Sequence, residues 1–365
     1  MTKKILIIGS TGKLGKLLFN YCKKNRIQID AVASYRNYNL QVNQQSELNI
    51  KHGFCLSKKE EITKFKNFIK KRKFKVVYFL DYGALSLNYI NIIINNNSNT
   101  LLCIANKEMI IAGGKLLIDK INKSGNKFIP LDSEHFSMVN SNTSNDDIEK
   151  VYITASGGPF YFKKNINLNH VSLRQVLNHP KWDMGKNNSI DSSNFINKVL
   201  EILELSIIFD IDINKIDFLV SKNAYVHSMI IYRNSTVLIN CFDNNMLIPM
   251  VSPLIKIFNS KTIKPIVSKS FDIHNFQLET MSDKRFKIKK FFKRIKEFNH
   301  LERIYFLILN NKAQSLYLNN KLNYNNILNF IFRNMPNKQN TNIRLNSFIN
   351  IISLINEIKN DYEIY

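Results

Sequence analysis

The first 130 residues alternate short apolar runs with stretches in which apolar residues recur at helical spacing. The apolar runs are Lys4–Ile8, Ile29–Ser34, Lys75–Leu80 and Leu101–Ile104, and Leu14–Lys24 has the spacing of a helix. Short apolar strands separated by helices are typical of a parallel sheet that is covered on both faces. The pattern therefore predicts an N-terminal α/β domain.

The pattern changes after residue 131. Val151–Ala155 and Ser228–Asn240 indicate strands of an antiparallel or mixed sheet, and Ser192–Ile208 indicates a helix. Residues 266–292 are polar, basic and irregular, as in a linker. From about residue 293 to 365, apolar residues recur at helical spacing with Asn-rich breaks, which predicts a small helical domain.

These patterns divide the chain into four segments: an α/β domain (1–148), a central α+β domain (149–265), a linker (266–292) and a C-terminal helical domain (293–365). A length of 365 residues fits two or three domains. The sequence has 44% apolar and 22% charged residues and no apolar run long enough to span a bilayer. The N-terminal apolar run is too short for a signal peptide, so we expect a cytoplasmic protein without membrane partners.

The formal net charge of +24 permits two interpretations. Such a charge is typical of nucleic-acid-binding proteins, but the chain contains no recognised nucleic-acid-binding motif. Asn, Lys, Ile, Tyr and Phe are abundant throughout, which favours compositional drift in an AT-rich genome. The four cysteines lie far apart and form no C-x-x-C pair, which predicts reduced thiols rather than a zinc site or a disulfide framework.

A glycine motif follows the first strand and opens the first helix. Gly9, Gly12 and Gly15 have the spacing G-x-x-G-x-x-G, which lets the backbone approach a pyrophosphate at the positive end of a helix. The second strand is followed by Arg36 instead of the acidic residue typical of NAD enzymes, which favours the 2′-phosphate of NADPH. The alternatives are a purely structural turn and a surface cation.

Three further segments carry candidate chemistry. Asp132 and Glu134 flank Ser133, and two carboxylates at this spacing can bind one hard cation such as Mg²⁺ or Mn²⁺. The glycine turn at 154–160 offers backbone N–H groups and Ser156 to an anion. The loop at 179–186 contains the only Trp of the chain and suggests a lid. Each segment taken alone also fits an ordinary surface turn or an anchored loop.

The predicted helix beginning near residue 192 adds a third carboxylate. Asp191 or Ser192 is a candidate N-cap, and Asn197 and Lys198 lie on the same helix face as Glu201. Glu201 could bind a cation while the two other side chains hold a phosphate. The alternative is a solvated helix face with an ion pair.

Six segments, together and in this order, resemble the 1-deoxy-D-xylulose 5-phosphate reductoisomerase family. They are GSTGKLG (9–15), ANKE (105–108), LDSEH (131–135), TASGGPF (154–160), HPKWDMGKNNSIDSSNFINKVLE (179–201) and VHSMI (226–230). The set spans roughly two-thirds of the chain, and the segment 179–201 is highly specific to the family. Similarity is weaker in the C-terminal third, although its length and helical character agree.

The resemblance implies a Rossmann-like NADPH domain, a central catalytic and dimerisation domain, and a C-terminal helical bundle in a homodimer. It implies catalytic residues at Lys107, Asp132, Glu134 and Glu201, of which the three carboxylates are the metal ligands. The residues implied to bind substrate are Ser133, Ser156, His179, Trp182, Met184, Ser192, Asn197 and Lys198. Those implied at the cofactor are Gly9, Ser10, Thr11, Gly12, Lys13, Leu14, Arg36, Asn37, Asn106, Glu108 and Gly185.

The implied reaction converts 1-deoxy-D-xylulose 5-phosphate into 2-C-methyl-D-erythritol 4-phosphate, a step of non-mevalonate isoprenoid biosynthesis. NADPH and a divalent cation (Mg²⁺, Mn²⁺ or Co²⁺) are the implied cofactors. The sequence departs from the family at residues 221–224, where Ser-Lys-Asn-Ala replaces the usual His-Pro-Gln-Ser. Two alternatives stay open: an eroded homologue that keeps the fold without turnover, and a basic nucleic-acid-binding protein.

Overall fold

The computed structural model describes residues 4–141, 144–182, 184–258, 263, 266, 277–281, 284–336 and 345–362. They form two compact units. The first comprises Met1–Val139 with Asn245–Ser270, and the second comprises Asn140–Asn244 with Phe271–Tyr365. The four-segment division stays a prediction, although residues 245–258, which it assigns to the central domain, belong to the first unit.

The strands are β1 (Ile5–Ile8), β2 (Ala31–Ser34), β3 (His52–Cys55), β4 (Val76–Phe79), β5 (Leu101–Ile104), β6 (Lys127–Pro130), β7 (Ile148–Ala155), β8 (Ile216–Val220), β9 (Val226–Tyr232), β10 (Val237–Cys241) and β11 (Glu279–Thr280). The helices are α1 (Lys13–Lys24), α2 (Tyr38–Leu48), α3 (Lys59–Lys70), α4 (Leu87–Asn96), α5 (Lys107–Lys123), α6 (Ser133–Met138), α7 (Leu173–Leu177), α8 (Lys186–Ser193), α9 (Ile196–Phe209), α10 (Leu247–Phe258), α11 (Ile288–Lys296), α12 (His300–Leu318), α13 (Ile327–Arg333) and α14 (Phe348–Asp361).

The first unit contains a six-stranded parallel sheet with the strand order β3-β2-β1-β4-β5-β6. The predicted α/β class is therefore confirmed, and each of the four predicted strands is present. The pattern did not predict β3 and β6. Because all six strands run in the same direction, their carboxyl ends meet at one edge, where doubly wound folds bind their ligands.

The core of the first unit explains why residues distant in sequence belong to it. Ile5, Ile7 and Tyr78 lie in one buried apolar cluster with Met250 and Leu254 of α10. The buried Tyr78 hydroxyl donates a hydrogen bond to the carbonyl oxygen of Met250 at 2.7 Å. Burial of these apolar side chains attaches α10 to the sheet.

The second unit contains a mixed sheet with the order β10-β9-β7-β8-β11. β7 and β8 pair in parallel, whereas β7–β9, β9–β10 and β8–β11 pair antiparallel. The prediction of an antiparallel or mixed sheet is therefore confirmed, and the predicted strand region 228–240 forms the hairpin β9–β10. β11 and the first five residues of α11 fall within the predicted linker, of which residues 267–276 and 282–283 lie outside the described part.

The predicted helix over 192–208 is wrong in one respect, because two helices meet there. Phe195 adopts a left-handed conformation (φ 65°), and the Asn194 side chain accepts a hydrogen bond from the Ile196 backbone N–H at 2.9 Å. α8 therefore ends at Ser193, and Ser192 lies in its last turn rather than at an N-cap. Apolar periodicity continues across the break because Phe195 is itself buried.

The C-terminal part of the second unit is helical, as predicted. α12 begins with a capping box in which Asn299 and Glu302 each accept a hydrogen bond from the other's backbone N–H. α13 and α14 pack against α12 through apolar side chains. Within the described residues, no helix combines the length and apolar character needed to cross a membrane.

Candidate active site

The glycine motif forms the loop between β1 and α1. A Cβ atom at Gly15 would lie 2.2 Å from the carbonyl oxygen of Gly9, and one at Gly9 would lie 2.5 Å from the backbone nitrogen of Asp81. Gly9 also has a φ of +88°. Only glycine permits this packing, which brings the start of α1 against the carboxyl ends of β1 and β4.

The start of α1 meets the requirements of an anion site. Gly12 is the N-cap without a side-chain hydrogen bond, and the first turn has no acidic side chain. Lys13 is exposed there, whereas Ser10 is buried and Thr11 and Leu14 are half-buried. The helix therefore presents its positive end with a nearby cation, which suits a pyrophosphate.

Arg36 and Asn37 follow β2, at the same edge of the sheet. Arg36 is exposed, and its guanidinium lies 5.5 Å from the centre of the Tyr35 ring. Asn37 is the N-cap of α2, where its side chain accepts a hydrogen bond from the Leu40 backbone N–H at 3.3 Å. Arg36 thus offers an exposed cation to a phosphate, while Asn37 holds the start of the following helix.

The segment 105–108 joins β5 to α5. The Asn106 side chain caps α5 by accepting from Met109 N–H at 2.9 Å, and its amide donates to the Gly83 carbonyl at 3.0 Å. The same amide lies 3.4 Å from a carboxylate oxygen of Asp81, whose pKa is raised by burial. Glu108 is buried in the first turn of α5. Sequence reasoning missed Asp81, because a single carboxylate after a strand is an ordinary feature.

Lys107 and Asp132 are the polar pair at the carboxyl ends of neighbouring strands. Lys107 follows β5 and Asp132 follows β6, and the Lys107 Nζ atom lies 3.2 Å from Asp132 Oδ2. The Lys107 side chain is only 8% exposed. A buried ammonium group held by a carboxylate has few conformations, which is what a group that orients a substrate requires.

Ser133 and Glu134 occupy the first turn of α6, and both are buried. The Ser133 hydroxyl donates to Glu134 Oε2 at 2.5 Å. Asp132 is the N-cap of the same helix but makes no side-chain capping bond there. The short helix therefore holds two carboxylates and one hydroxyl at the sheet edge that carries Lys107.

In the second unit, α9 holds the predicted carboxylate and its two neighbours. The Lys198 ammonium forms an ion pair with Glu201 Oε2, and the Asn197 amide donates to Glu201 Oε1. Glu201 is 2% exposed, and Lys198 is also buried. The i,i+3 and i,i+4 spacing thus produces the predicted convergence, but inside the unit instead of on a solvated face.

The glycine turn after β7 lies against the predicted lid. The Ser156 Oγ atom is 3.1 Å from Nε2 of His179, and burial together with the nearby Lys198 charge lowers the pKa of His179 to about 4. Gly158 packs against the end of α8, where a Cβ atom would lie 2.8 Å from the Ser192 carbonyl oxygen. The turn therefore lies against both His179 and Ser192, and the Lys198 charge acts on the same histidine.

The segment between His179 and α8 is only partly described, because residue 183 lies outside the described part. Trp182 and Met184 are half-buried, and Gly185 is the exposed N-cap of α8. Nδ1 of His179 accepts a hydrogen bond from the Trp182 backbone N–H at 2.9 Å. The histidine therefore connects the tryptophan to the Ser156 turn.

Residues 221–224, where the sequence departs from the family pattern, form the turn between β8 and β9. Ser221 is buried, its backbone N–H donates to the Ala155 carbonyl at 2.8 Å, and its hydroxyl donates to Asn223 Oδ1. Ala224 has a positive φ of 55°. A serine–asparagine contact thus closes the turn adjacent to the end of β7.

Both implied cofactors fit the residues present. The glycine loop packs so closely that a Cβ at Gly9 or Gly15 would enter the backbone, as a dinucleotide loop requires, and a cation follows β2 instead of a carboxylate. The acidic candidates Asp132, Glu134 and Glu201 offer only oxygen atoms, which suits a hard divalent cation such as Mg²⁺ or Mn²⁺.

The strand order, the glycine loop and the polar groups at the carboxyl edge define a dinucleotide-binding enzyme of the doubly wound class with an additional mixed-sheet unit. Comparison with known proteins narrows this class. The model of the 1-deoxy-D-xylulose 5-phosphate reductoisomerase C-terminal domain matches residues 128–209.

Relatives match nearly the full length of the chain. The 1-deoxy-D-xylulose 5-phosphate reductoisomerase of Pelagibacter ubique is 32% identical over 363 residues, covering 91% of this chain and 90% of the relative. That of Clostridium novyi is 28% identical and covers 94% of both chains. The chain therefore belongs to the 1-deoxy-D-xylulose 5-phosphate reductoisomerase family.

Solved structures support the fold. A DOX-P reductoisomerase in complex with NADPH, fosmidomycin and magnesium matches with a TM-score of 0.85 at 20% identity, covering 99% of this chain and 97% of the other. The Zymomonas mobilis enzyme in complex with NADPH matches with a TM-score of 0.81 at 21% identity, covering 99% and 98%. The predicted Rossmann-like fold with its further domains is thereby confirmed.

Proposed function

We propose that this chain catalyses the NADPH-dependent isomerisation and reduction of 1-deoxy-D-xylulose 5-phosphate to 2-C-methyl-D-erythritol 4-phosphate. The proposal depends on one observation above all. The Lys107–Asp132 pair, in which Lys107 is buried, lies at the same carboxyl edge of the parallel sheet as the glycine loop between β1 and α1. A reacting group and a nicotinamide dinucleotide are therefore brought to one edge.

The chain's own residues orient the reacting carbons. Asp132, Glu134 and Glu201 would hold a divalent cation (Mg²⁺, Mn²⁺ or Co²⁺), which would supply Lewis-acid polarisation of the carbonyl and hydroxyl oxygens, and bound NADPH would supply the hydride. Lys107 donates hydrogen bonds to a substrate hydroxyl, because the contact with Asp132 holds its ammonium group in place. Ser133 contacts the same region of the substrate from the first turn of α6.

The second unit binds the phosphate of the substrate. Lys198 supplies a positive charge, and Ser156, Ser192 and Asn197 supply hydrogen-bond donors. Each member of this set is buried or half-buried. Its hydrogen bonds to a phosphate are therefore shielded from water and stronger than those of an exposed group. His179, Trp182 and Met184 close over the bound substrate as a lid.

A coupled assay tests the reaction directly. Purified protein is mixed with 1-deoxy-D-xylulose 5-phosphate, NADPH and Mn²⁺, and NADPH absorbance is followed with and without a chelator. We expect metal-dependent loss of absorbance and formation of 2-C-methyl-D-erythritol 4-phosphate. A protein that binds NADPH but shows no turnover would identify an eroded homologue instead.

We infer that the enzyme is a homodimer that associates through β10. This strand is at the edge of the described mixed sheet, and Val237, Leu238 and Ile239 are 52%, 36% and 43% exposed. An edge strand with exposed apolar residues on both faces is a template for pairing with another strand. A second copy related by twofold symmetry would present the same strand.

Light scattering coupled to size exclusion tests this inference. Ile239→Lys should convert the dimer into a monomer, because a buried ammonium group at the interface lacks a partner. Ile349→Lys is the matched control, since Ile349 is 75% exposed on α14. Equal masses for both variants would exclude β10 as the interface.

The separate thiols of the four cysteines support the predicted cytoplasmic location.

A further inference from the structure

A buried carboxylate in α8 is held by two amides of α12. Asp191 is 5% exposed. Its two oxygens each lie 3.1 Å from the Asn310 amide nitrogen, and Oδ1 accepts a hydrogen bond from the Gln314 amide at 2.6 Å. Because Asn310 and Gln314 are one helical turn apart, a single face of α12 contacts this carboxylate.

α12 also holds the backbone of α8. The Gln314 amide nitrogen lies 3.3 Å from the carbonyl oxygen of Asn187, one turn before Asp191. Two points on α8 are therefore fixed by one face of α12. Such a contact limits both sliding and rotation of the short helix.

The network is costly for folding. The side-chain amide oxygens of Asn310 (Oδ1) and Gln314 (Oε1) are buried without a hydrogen-bond partner among the described residues. A buried charge and two unsatisfied oxygens are expensive, and an apolar cluster of similar volume would stabilise the helix pair without them. This cost indicates a role in placing α8 rather than in stability alone.

α8 carries part of the proposed phosphate site. Ser192 follows Asp191 directly. Its carbonyl oxygen packs against Gly158, which belongs to the same turn as Ser156. The Asn194 side chain then accepts a hydrogen bond from the Ile196 backbone N–H at the start of α9, the helix of Asn197 and Lys198. A shift of Asp191 therefore displaces several phosphate-binding groups together.

We propose that Asp191 is a positioning residue, through which Asn310 and Gln314 of the C-terminal helical region fix the phosphate-binding end of α8. The proposal rests on the proposed function, since it concerns affinity for the phosphate of the same substrate. It assigns a role in substrate binding to α12, which contributes no residue to the predicted site.

Gln314→Glu tests the proposal by placing a second carboxylate against Asp191. We expect the KM for 1-deoxy-D-xylulose 5-phosphate and the inhibition constant of inorganic phosphate to rise by the same factor, about tenfold or more, with kcat and NADPH affinity little changed. Adding Asp191→Asn to Gln314→Glu should restore most of the affinity. The new amide at position 191 can donate to the new carboxylate at position 314, while its oxygen accepts from Asn310. Gln314→Ala, which adds no charge, should show a smaller rise in both constants.

Gln28→Glu is the control for added negative charge, because Gln28 is exposed in the first unit. Variants with a lower melting temperature but unchanged KM and phosphate inhibition would overturn the proposal and leave Asp191 a structural residue. Absence of wild-type turnover would instead refute the proposed function. In that case, unchanged binding of inorganic phosphate to Gln314→Ala, measured by calorimetry, would overturn the positioning role separately.

Discussion

Ser156 accepts a hydrogen bond from His179. The Oγ–Nε2 distance is 3.1 Å, and Nδ1 of the same ring accepts from the Trp182 backbone N–H. Because Nδ1 is an acceptor, the neutral ring carries its proton on Nε2 and donates it to Ser156. The Ser156 hydroxyl proton is then available for a phosphate oxygen.

This arrangement predicts that the folded protein loses stability in acid. The pKa of His179 is about 4 in the folded protein, below its ordinary value of 6.5, because burial and Lys198 disfavour the imidazolium. Between pH 4 and pH 6.5, the unfolded chain binds more protons at His179 than the folded protein does. The stabilising contribution of the neutral His179 ring is therefore complete above pH 6.5 and is lost as the pH falls toward 4. The loss should be about 1–2 kcal/mol after allowance for partial exposure.

Melting temperatures of wild type and His179→Asn across this pH range measure the effect. The asparagine can still accept from the backbone but does not titrate, so its melting temperature should fall less steeply with acid. His170→Asn, at an exposed position, is the control. Parallel curves for wild type and His179→Asn would contradict the assignment.

Arg36 should determine the preference for NADPH. Replacing it with Ala removes a charge-assisted contact to the 2′-phosphate, worth about 1.5–3 kcal/mol, so the KM for NADPH should rise roughly tenfold to a hundredfold. The KM for NADH should hardly change. Steady-state kinetics with both cofactors provide the measurement, with the exposed Arg174→Ala as control. Equal changes for the two cofactors would show that Arg36 does not contact the phosphate.

Glu201→Gln should abolish turnover while leaving NADPH binding intact. The carboxylate is proposed to bind the cation, whose contribution of several kcal/mol corresponds to a loss in kcat of about a hundredfold or more. The NADPH dissociation constant, measured by fluorescence titration, should stay within about twofold of wild type. Glu149→Gln, on the exposed side of β7, is the control. Reduced NADPH affinity with normal turnover would reverse the assignment.

Gly15→Ala should disrupt the cofactor loop. The added Cβ would lie 2.2 Å from the Gly9 carbonyl oxygen and 2.5 Å from that of Ser10, and such overpacking costs about 1–3 kcal/mol. We expect a lower melting temperature and loss of NADPH binding by calorimetry. At Gly12 the nearest atom is 3.3 Å away and φ is −70°, so Gly12→Ala should fold with nearly wild-type stability. Similar melting temperatures for the two variants would argue against the tight loop.

Trp182 should report closure of the proposed lid. It is the only tryptophan in the chain and is half-buried, so its emission depends on this segment alone. Binding of substrate or fosmidomycin should change the emission of wild type, whereas Trp182→Phe should show no such signal. Constant wild-type emission at saturating ligand would exclude a lid movement at Trp182.

Much of the fold could be predicted from local patterns. The strands β1, β2, β4 and β5 are apolar runs, and the 3.6-residue spacing of their neighbours identifies helices. β3 has the sequence HGFC and β6 ends in Pro130, so neither shows the apolar signal of an interior strand. The break at Phe195 was missed because periodicity reports which side chains are buried and contains no information about a single left-handed residue.

The sequence by itself determined the chemical inventory: the glycine spacing, the cation after β2, the carboxylates, and the segment order that resembles one enzyme family. Local spacing also determined that Lys198 and Asn197 reach Glu201. Only the tertiary structure decided contacts between distant segments, such as Lys107 with Asp132, Ser156 with His179, and Asp191 with Asn310. The physical reason is that such contacts follow from how helices and strands pack, and packing is a property of the whole fold that no short window of sequence contains.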